Sequence, residues 1–579
     1  MSGIDWIVLS VTLLSIIAYG LYKSRTSKDL NGYFLSNRSM PWYLVLLSIM
    51  GTQASAVTFL SAPGQAFTDG MRFVQYYFGL PLAMVVLCIT FVPLFSRLKV
   101  FTAYEFLEKR FDVKTRTFTS FLFLLQRGLS TGISIYAPSI ILSSLLGWDI
   151  FLTNIVMGGL LIIYTVTGGA RAVAYTQQLQ LVIIFIGMFL AGYMIVHLLP
   201  KNIGFTDALR VSGASGKMNV ITSGKTNGHF DWSDKYNIWS GLIGGFFLAL
   251  SYFGTDQSQV GRYLTAKNST ESKLGLLING LVKVPMQFFI LLIGALLFTF
   301  YQFKPSPVFH NRAVEVKAQQ TKYKDSLATI EGQYALKNQR QASLSTNYIK
   351  AFHANNTTEI SKLKDSTQAN NLQLDSLRVA YKSYIKKALP LDDENDTNYI
   401  FLRFVIDYLP VGLIGLLIAI IFLAAWGSIA AALNSLASCT VIDFHLRFSK
   451  AGVGLSEENK SKKEYKLSRL YTFFWGLFCI VVAQFANKMG SLIEAVNVLG
   501  SLFYGVILGI FLVAFYIKRV GAKPVFWSAI ISELIIVSLF ILNAYGLIHL
   551  SFLWLNAAGA LLVVMFSLLF QLFARPVIR

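Results

Sequence analysis

The chain has 579 residues, 54% of them hydrophobic and only 14% charged, with a mean hydropathy of +0.56; a soluble globular chain carries roughly a quarter charged residues, so this is a polytopic membrane protein. The formal charge of +21 does not indicate nucleic acid, because the basic residues sit in short loops between apolar runs, where they orient a membrane protein. The three cysteines and six histidines are scattered without ligand-like spacing, which excludes a disulfide framework, a zinc site and a metal hydrolase.

Met1 to Trp6 lacks the basic stretch that precedes the apolar core of a cleavable leader. Lys23, Arg25 and Lys28 follow the first apolar run, and the positive-inside rule then puts the N-terminus outside. A hydrocarbon core of about 30 Å takes about 20 apolar residues to cross. Thirteen runs satisfy that: 4–22, 45–66, 72–96, 118–146, 150–168, 176–199, 238–262, 274–302, 408–440, 468–487, 490–517, 525–546 and 550–574. Thirteen crossings leave the C-terminus in the cytoplasm. The loops agree, since Arg97, Lys99, Lys109, Arg110, Arg171, Arg262, Lys267, the patch from Lys460 to Lys466, Lys518 and Arg519 fall on that side. The expectation is a multi-pass protein of the cell membrane in contact with lipid.

The second run contains GTQASAVTFLSAPG, Gly51 to Gly64, and the seventh contains SGLIGGFFLALSYFGTDQ, Ser240 to Gln257. Small and helix-breaking residues at membrane depth are tolerated where freed carbonyls line a cavity, and paired interrupted segments in two halves mark a transporter's central site. Runs two to six and seven to eleven form two sets of five with opposite orientation. The predicted fold is therefore all-α, about 13 transmembrane helices around an inverted five-plus-five repeat. Its parts are an extra helix and cytoplasmic loop (1–44), a first repeat (45–199), an outer loop (200–237), a second repeat (238–517) and two C-terminal helices (518–579).

Between the eighth and ninth runs lies an extracytoplasmic insert, 304–397. Leu327, Ile330 and Tyr334, and later Leu374, Leu377, Tyr381 and Ile385, are spaced as helix faces. Asn356 followed by Glu359 resembles a capping box opening a second helix. A helical hairpin projecting outward is expected, placed to touch another protein although a solvated decoration is the simpler reading. The outer loop from Lys201 to Asn237 is expected to be an irregular cap.

Ionisable residues inside a membrane are functional candidates by default. Lys283 and Arg127 lie well inside their runs, against the alternative of snorkelling to the interface. Glu494 and Glu533 lie nearer run ends, where interfacial placement is expected. The ninth run carries Ser428, Asn434, Ser435 and Ser438 among small residues, which mostly serve helix packing. Hydroxyls and freed carbonyls also suit a hard cation, so Ser428 facing Gly51 to Ala54 would make a sodium cage.

TAYEFLEKRFD (Thr102 to Asp112), TGISIYAPSIIL (Thr131 to Leu142), TVTGGARAVAYTQQLQ (Thr165 to Gln180) and GTDQSQVGRYL (Gly254 to Leu264) occur in this order. With them the chain resembles the sodium/solute symporters, the carriers of sugars, proline, sialic acid, monocarboxylates, vitamins and iodide, over the whole membrane portion but not the insert. TGISIYAP is most similar to the monocarboxylate, multivitamin and iodide branch. The resemblance implies the fold of the amino-acid/sodium symporters and sodium-driven solute uptake by alternating access, with no cofactor besides Na+ as coupling ion. It implies a sodium site from Gly51, Ala54, Ala424, Gly427 and Ser428, with Gln177 nearby. Two departures weaken it: Gly427 stands where most members have a hydroxyl, and Gln177 where many have an aspartate, which leaves an amide oxygen without charge. Ala430 and Ala431 replace the hydroxyls of a second sodium site, so at most one is expected.

For the solute the resemblance implies Gln53, Ser55, Thr58 and the gate pair Tyr252 and Phe253. Ala249 stands where a sugar carrier has an asparagine, while Lys283 with Arg127 would suit a carboxylate. The reading is a sodium-coupled symporter importing a small organic solute, a monocarboxylate or sialic acid ahead of a sugar or amino acid. A coupling-deficient sensor is the alternative, and no catalytic constellation supports an enzyme.

Overall fold

After α1 (Gly3–Ser24), the apolar stretch that begins at Pro41 forms two helices instead of one. In the computed structural model, which describes residues 1–24, 34–390, 392–449, 457–486 and 489–574, α2 (Trp42–Gln53) and α3 (Ala56–Asp69) meet at 59°. Ala54 leaves the helical region at φ −80°, ψ 70°, and Ser55 is extended at φ −83°, ψ 170°. The amides at the break turn to nearer carbonyls, Ser55 N–H to Gln53 O and Thr58 N–H to Ser55 O, each at 2.9 Å. A continuous helix would give those amides to the carbonyls of Gly51 and Ala54, which are thereby released.

Among the described residues ten helices are long and apolar enough to cross a membrane, the bent pair makes an eleventh, and the shorter apolar helices Ile150–Val166 and Ser240–Thr255 fall on two more of the predicted runs. After α4 (Leu80–Ile89), α5 (Phe91–Leu98) and the short α6 (Glu105–Arg110) come α7 (Val113–Leu146) and α8 (Ile150–His197). The sequence predicts two runs where α8 is assigned as one helix, yet Tyr164 Oη and Thr176 Oγ1 lie 2.8 Å apart. A straight helix would hold those residues about 18 Å apart along its axis, so α8 folds back on itself and supplies both crossings. The outer loop is more ordered than expected, with α9 (Phe205–Ala214) and a small hairpin of β1 (Lys225–Thr226) and β2 (His229–Phe230). The seventh run is broken as predicted: a π-helical turn at Ser240–Gly244 leads into α10 (Gly245–Thr255), and Asp256 separates it from α11 (Gln257–Tyr263).

Then follow α12 (Ser269–Phe303), the insert helices α13 (Lys324–His353) and α14 (Thr357–Ala388), α15 (Leu413–Cys439), α16 (Glu457–Ala483), α17 (Leu492–Tyr516), α18 (Ala522–Ala544) and α19 (Leu553–Phe573). Glu533 is not interfacial: it falls midway along α18, 8% exposed, with neither carboxylate oxygen partnered among the described residues. Glu494 pairs with Lys235. The side chains of Lys23, Arg25, Lys28, Arg171 and Lys460, invoked above for orientation, lie outside the described part.

At the end opposite the insert, the sequence motifs explain one another. Gln257 joins the backbone on either side of Thr102, accepting from Ala103 N–H at 3.0 Å and donating to Phe101 O at 2.7 Å. Tyr104 Oη donates to Thr255 O at 2.8 Å. Asp443 accepts from Thr102, Ser120 and Arg116, the last at 2.6 Å. This clasp holds the short α6 region against α7, α11 and the end of α15.

The insert buries the predicted faces: Leu327, Ile330, Tyr334, Leu374, Tyr381 and Ile385 share one core, with Leu377 packed against it. Asn356 caps α14, accepting from Glu359 N–H at 3.1 Å. The insert does not simply project, however. A Cβ on Gly64 would come within 2.0 Å of Thr397 O, Ser61 Oγ donates to Asn398 Oδ1 at 2.7 Å, and the His310 ring meets Phe67 edge-on at 5.9 Å. The insert is therefore seated on α3, the second half of the broken helix. Its anchor is Asp396, fully buried between Arg378, Lys382 and His310. Burial would raise that carboxyl, but the two cations hold it well below the ordinary carboxylate range.

Candidate functional site

The break between α2 and α3 faces a cavity of about 140 Å³. Gln53, Ser55, Thr58, Arg127, Tyr252, Phe253 and Lys283 all line it, so the seven residues expected at a solute surround one space. Of the expected ion residues, Ser428 reaches the cavity, while Gly51, Ala54, Ala424, Gly427 and Gln177 are not in its lining. Tyr252 and Phe253 pack edge to face at 5.0 Å. Ala249 is in the wall, where its methyl offers nothing to a sugar hydroxyl.

The lining includes two basic side chains, Arg127 and Lys283, and no carboxylate. The two cations are not equivalent. Arg127 pairs with Asp256, itself fully buried, and lies over the Tyr252 ring at 5.4 Å. Tyr504 Oη donates to the same Asp256 carboxylate at 2.7 Å and accepts from Arg127 at 3.3 Å. The Arg127 charge is thus balanced within the protein, contrary to the expectation of a free partner for a carboxylate, although its Nε has no hydrogen-bond partner among the described residues. Lys283 is 2% exposed, and among the described residues its recorded contact is the face of Tyr77, 5.5 Å away. It does not snorkel. A buried ammonium without a counter-charge carries a large desolvation cost, and here it faces a cavity that an anion could enter.

Neutral hydrogen-bonding groups complete the wall. Gln126 Oε1 and Asn497 Nδ2 are buried without partners among the described residues. Gln53 is held by Asn279, to whose Oδ1 it donates at 3.0 Å. Sequence reasoning missed Asp256, Tyr504, Asn279 and Asn497. The quoted GTDQ motif holds Asp256 in plain view, but its partner Arg127 is 129 residues away, and nothing local announces that pairing.

The expected ion residues meet around Gln177. Its Nε2 donates to Gly427 O at 3.1 Å and to Thr52 Oγ1 at 3.3 Å, while Oε1 accepts from Ser48 Oγ at 3.0 Å. One amide therefore ties α8 to α2 and α15. It presents its nitrogen to Gly427, not the oxygen that the sequence reading offered to a cation. The two departures from the family pattern also depend on one another. A Cβ at Gly427 would lie 2.6 Å from Gln180 Oε1 and 3.2 Å from Gln177 Cγ, and one at Gly51 would lie 2.8 Å from Gln177 Cβ, so the side chains of Gln177 and Gln180 together occupy the space a hydroxyl residue at 427 needs. Ser428 Oγ donates back to Ala424 O at 2.9 Å and Ala425 O at 3.1 Å, which leaves its lone pairs for an ion.

The model of the sodium:solute symporter family matches residues 33–323 and 386–532, stopping and resuming within the insert. The sodium/sialic acid symporter SiaT of Proteus mirabilis is 26% identical over 97% of this chain and 93% of its own length. The human sodium-coupled monocarboxylate transporter 1 is 30% identical, over 48% of this chain and 44% of its own. A solved structure of a Na+-coupled sialic acid symporter in a substrate-bound, outward-open state superposes with a TM-score of 0.73 across 99% of both chains at 24% identity, which establishes the fold. Na+ is the coupling ion of the family. The broken helix, the fold and the two matched segments together make this chain a member of the sodium:solute symporter family.

Proposed function

We propose that the chain imports a small organic anion, a monocarboxylate or a sialic acid, with Na+ by alternating access. The observation that carries the anion is Lys283, a buried ammonium that among the described residues has no carboxylate partner and stands on the wall of a cavity with no acidic side chain. A carboxylate placed there gains a charge-assisted hydrogen bond and relieves the unpaired charge. Arg127 Nε, Gln126, Asn497, Ser55 and Thr58 would hold the rest of the solute, with Tyr252 and Phe253 beneath it. The relatives named for sialic acid and monocarboxylates act on acids, which supports the same reading.

For the ion, the released carbonyls of Gly51 and Ala54, the Ser428 hydroxyl and the carbonyls of Ala424 and Gly427 form one neutral oxygen set. It suits a hard monovalent cation and holds no charge to attract a divalent one. The break between α2 and α3 belongs to both sites, so ion binding orders the helix ends against which the solute packs. The cytoplasmic face is the end with the α6 clasp, the insert and N-terminus lie outside, and the chain performs no covalent chemistry.

A thermal-shift panel of carboxylates, neutral sugars and neutral amino acids in sodium or choline chloride tests this. At about 100 times its Kd a ligand stabilises by about 2.7 kcal/mol. An acid is expected to raise the melting temperature, and more so in sodium. A neutral sugar as the strongest ligand would overturn the anion, and equal shifts in sodium and choline would overturn the ion.

A further inference from the structure

The neighbours of Gln177 dictate which way its amide points. Thr52 Oγ1 gives its only hydrogen to Ser48 O at 2.8 Å, and Gly427 O has none to give, so both can only accept. The end of Gln177 that faces them must be the NH2 group, as observed at 3.3 and 3.1 Å. Ser48 Oγ then donates to Oε1. The Gly427 carbonyl has two lone pairs, but a cation brought to it would meet the positive end of the amide, so ion and amide N–H repel one another at that oxygen.

We propose that the Gln177 amide stands in for the cation by closing Thr52 to Gly427, and that Na+ arriving at the Gly427 carbonyl turns the amide over to present Oε1 to the ion. The terminal torsion of glutamine is broad and roughly two-fold, so a half-turn exchanges oxygen and nitrogen within nearly the same volume. Nε2 then faces Ser48 Oγ, a hydroxyl that accepts as readily as it donates. The bonds lost, to Thr52 and Gly427, are those the ion replaces. Close packing at Gly51 and Gly427 keeps the amide from swinging away. Gln177 is thereby a positioning residue that senses sodium and joins α2 to α15 in either orientation. Because an amide does not titrate, sodium binding through it is independent of pH. The proposal rests on the sodium site described above.

Gln177→Glu tests it. At pH 8 the new carboxylate sets acceptors against acceptors, a clash that a cation between them relieves. At pH 5 a protonated carboxyl donates to Gly427 as Nε2 does. Bonds to charged groups exceed neutral ones enough to predict about tenfold tighter sodium half-saturation than the parent at pH 8, read by thermal shift, with return toward the parent value at pH 5. The parent is expected to show one value at both. The same sodium constant in variant and parent at both pH values, with the parent still stabilised by sodium, overturns the amide switch and leaves the sodium site standing. A parent no more stabilised by sodium than by choline overturns both. Should Gln177→Glu not fold, glutamine side-chain amides labelled with 15N give a second readout in the parent. The signal lost in Gln177→Met is expected to move when sodium replaces choline. An unmoved signal while sodium raises the melting temperature overturns the switch.

Discussion

Replacing Lys283 by glutamine should have opposite effects on the free and the loaded protein. The ammonium is 2% exposed and unpaired among the described residues, so its removal lifts a desolvation cost. By that reasoning Lys283→Gln stabilises the free protein by about 1–3 kcal/mol, a rise in melting temperature of roughly 1–2.5 °C for a chain of this length. The same change takes a charge-assisted hydrogen bond from an anionic solute, about 1.5–3 kcal/mol, or roughly ten- to a hundredfold in apparent affinity. Thermal shift in detergent gives the first quantity, and solute titration of purified parent and variant gives the second. A variant that melts lower than the parent and binds the acid equally well would refute the argument, because Lys283 would then be held by a partner within the fold and would not touch the solute.

Asp256→Asn leaves Arg127 buried without its counter-charge, so stability should fall by about 3–5 kcal/mol and an acidic ligand should recover part of it; a neutral outcome in a melting experiment would show that the pair is not coupled to the cavity. Gly64→Ala puts a methyl into Thr397 O and should unseat the insert from α3 at a cost of about 1–3 kcal/mol, visible as faster hydrogen exchange confined to 304–397 and α3. Burial pushes the carboxyls of Asp393 and Glu315 up to about 7, and the stabilisation tied to such raised groups is lost as pH rises through the folded value. Burial pushes His310 down to about 4, and its contribution is lost only as pH falls below the ordinary histidine range. Between pH 6.5 and 8, then, exchange protection of the insert should decrease as pH rises, less steeply in Asp393→Asn; protection that grows with pH would contradict the sign.

Much of this was legible in the sequence because it is written locally. Gly51 to Gly64 breaks where small residues leave carbonyls without amides, Lys283 stands out as a charge in an apolar run, and the insert's heptad spacing places Leu327 and Tyr381 in one core. What escaped depends on pairs far apart in the chain. Arg127 reads as a free cation until α11 brings Asp256 beside it, and Gln177 reads as an oxygen donor until the hydroxyl of Thr52 is seen to have spent its hydrogen. Glu533 was misplaced because distance from a run's end says nothing about which neighbours bury it. The seating of the insert on Gly64 depends on Thr397, at the far end of a segment whose own pattern describes only itself.

The account's central claim is sodium-driven accumulation of an organic anion through the cavity at the α2–α3 break. Uptake of a labelled carboxylate into proteoliposomes, with the same gradient imposed as sodium or as choline and with Lys283→Gln and Ser428→Ala measured beside the parent, tests it most directly. The account predicts accumulation above equilibrium in sodium alone, weakened at the ion by Ser428→Ala and at the solute by Lys283→Gln. Equal uptake in sodium and choline, or accumulation of a neutral sugar in preference to the acid, would contradict it.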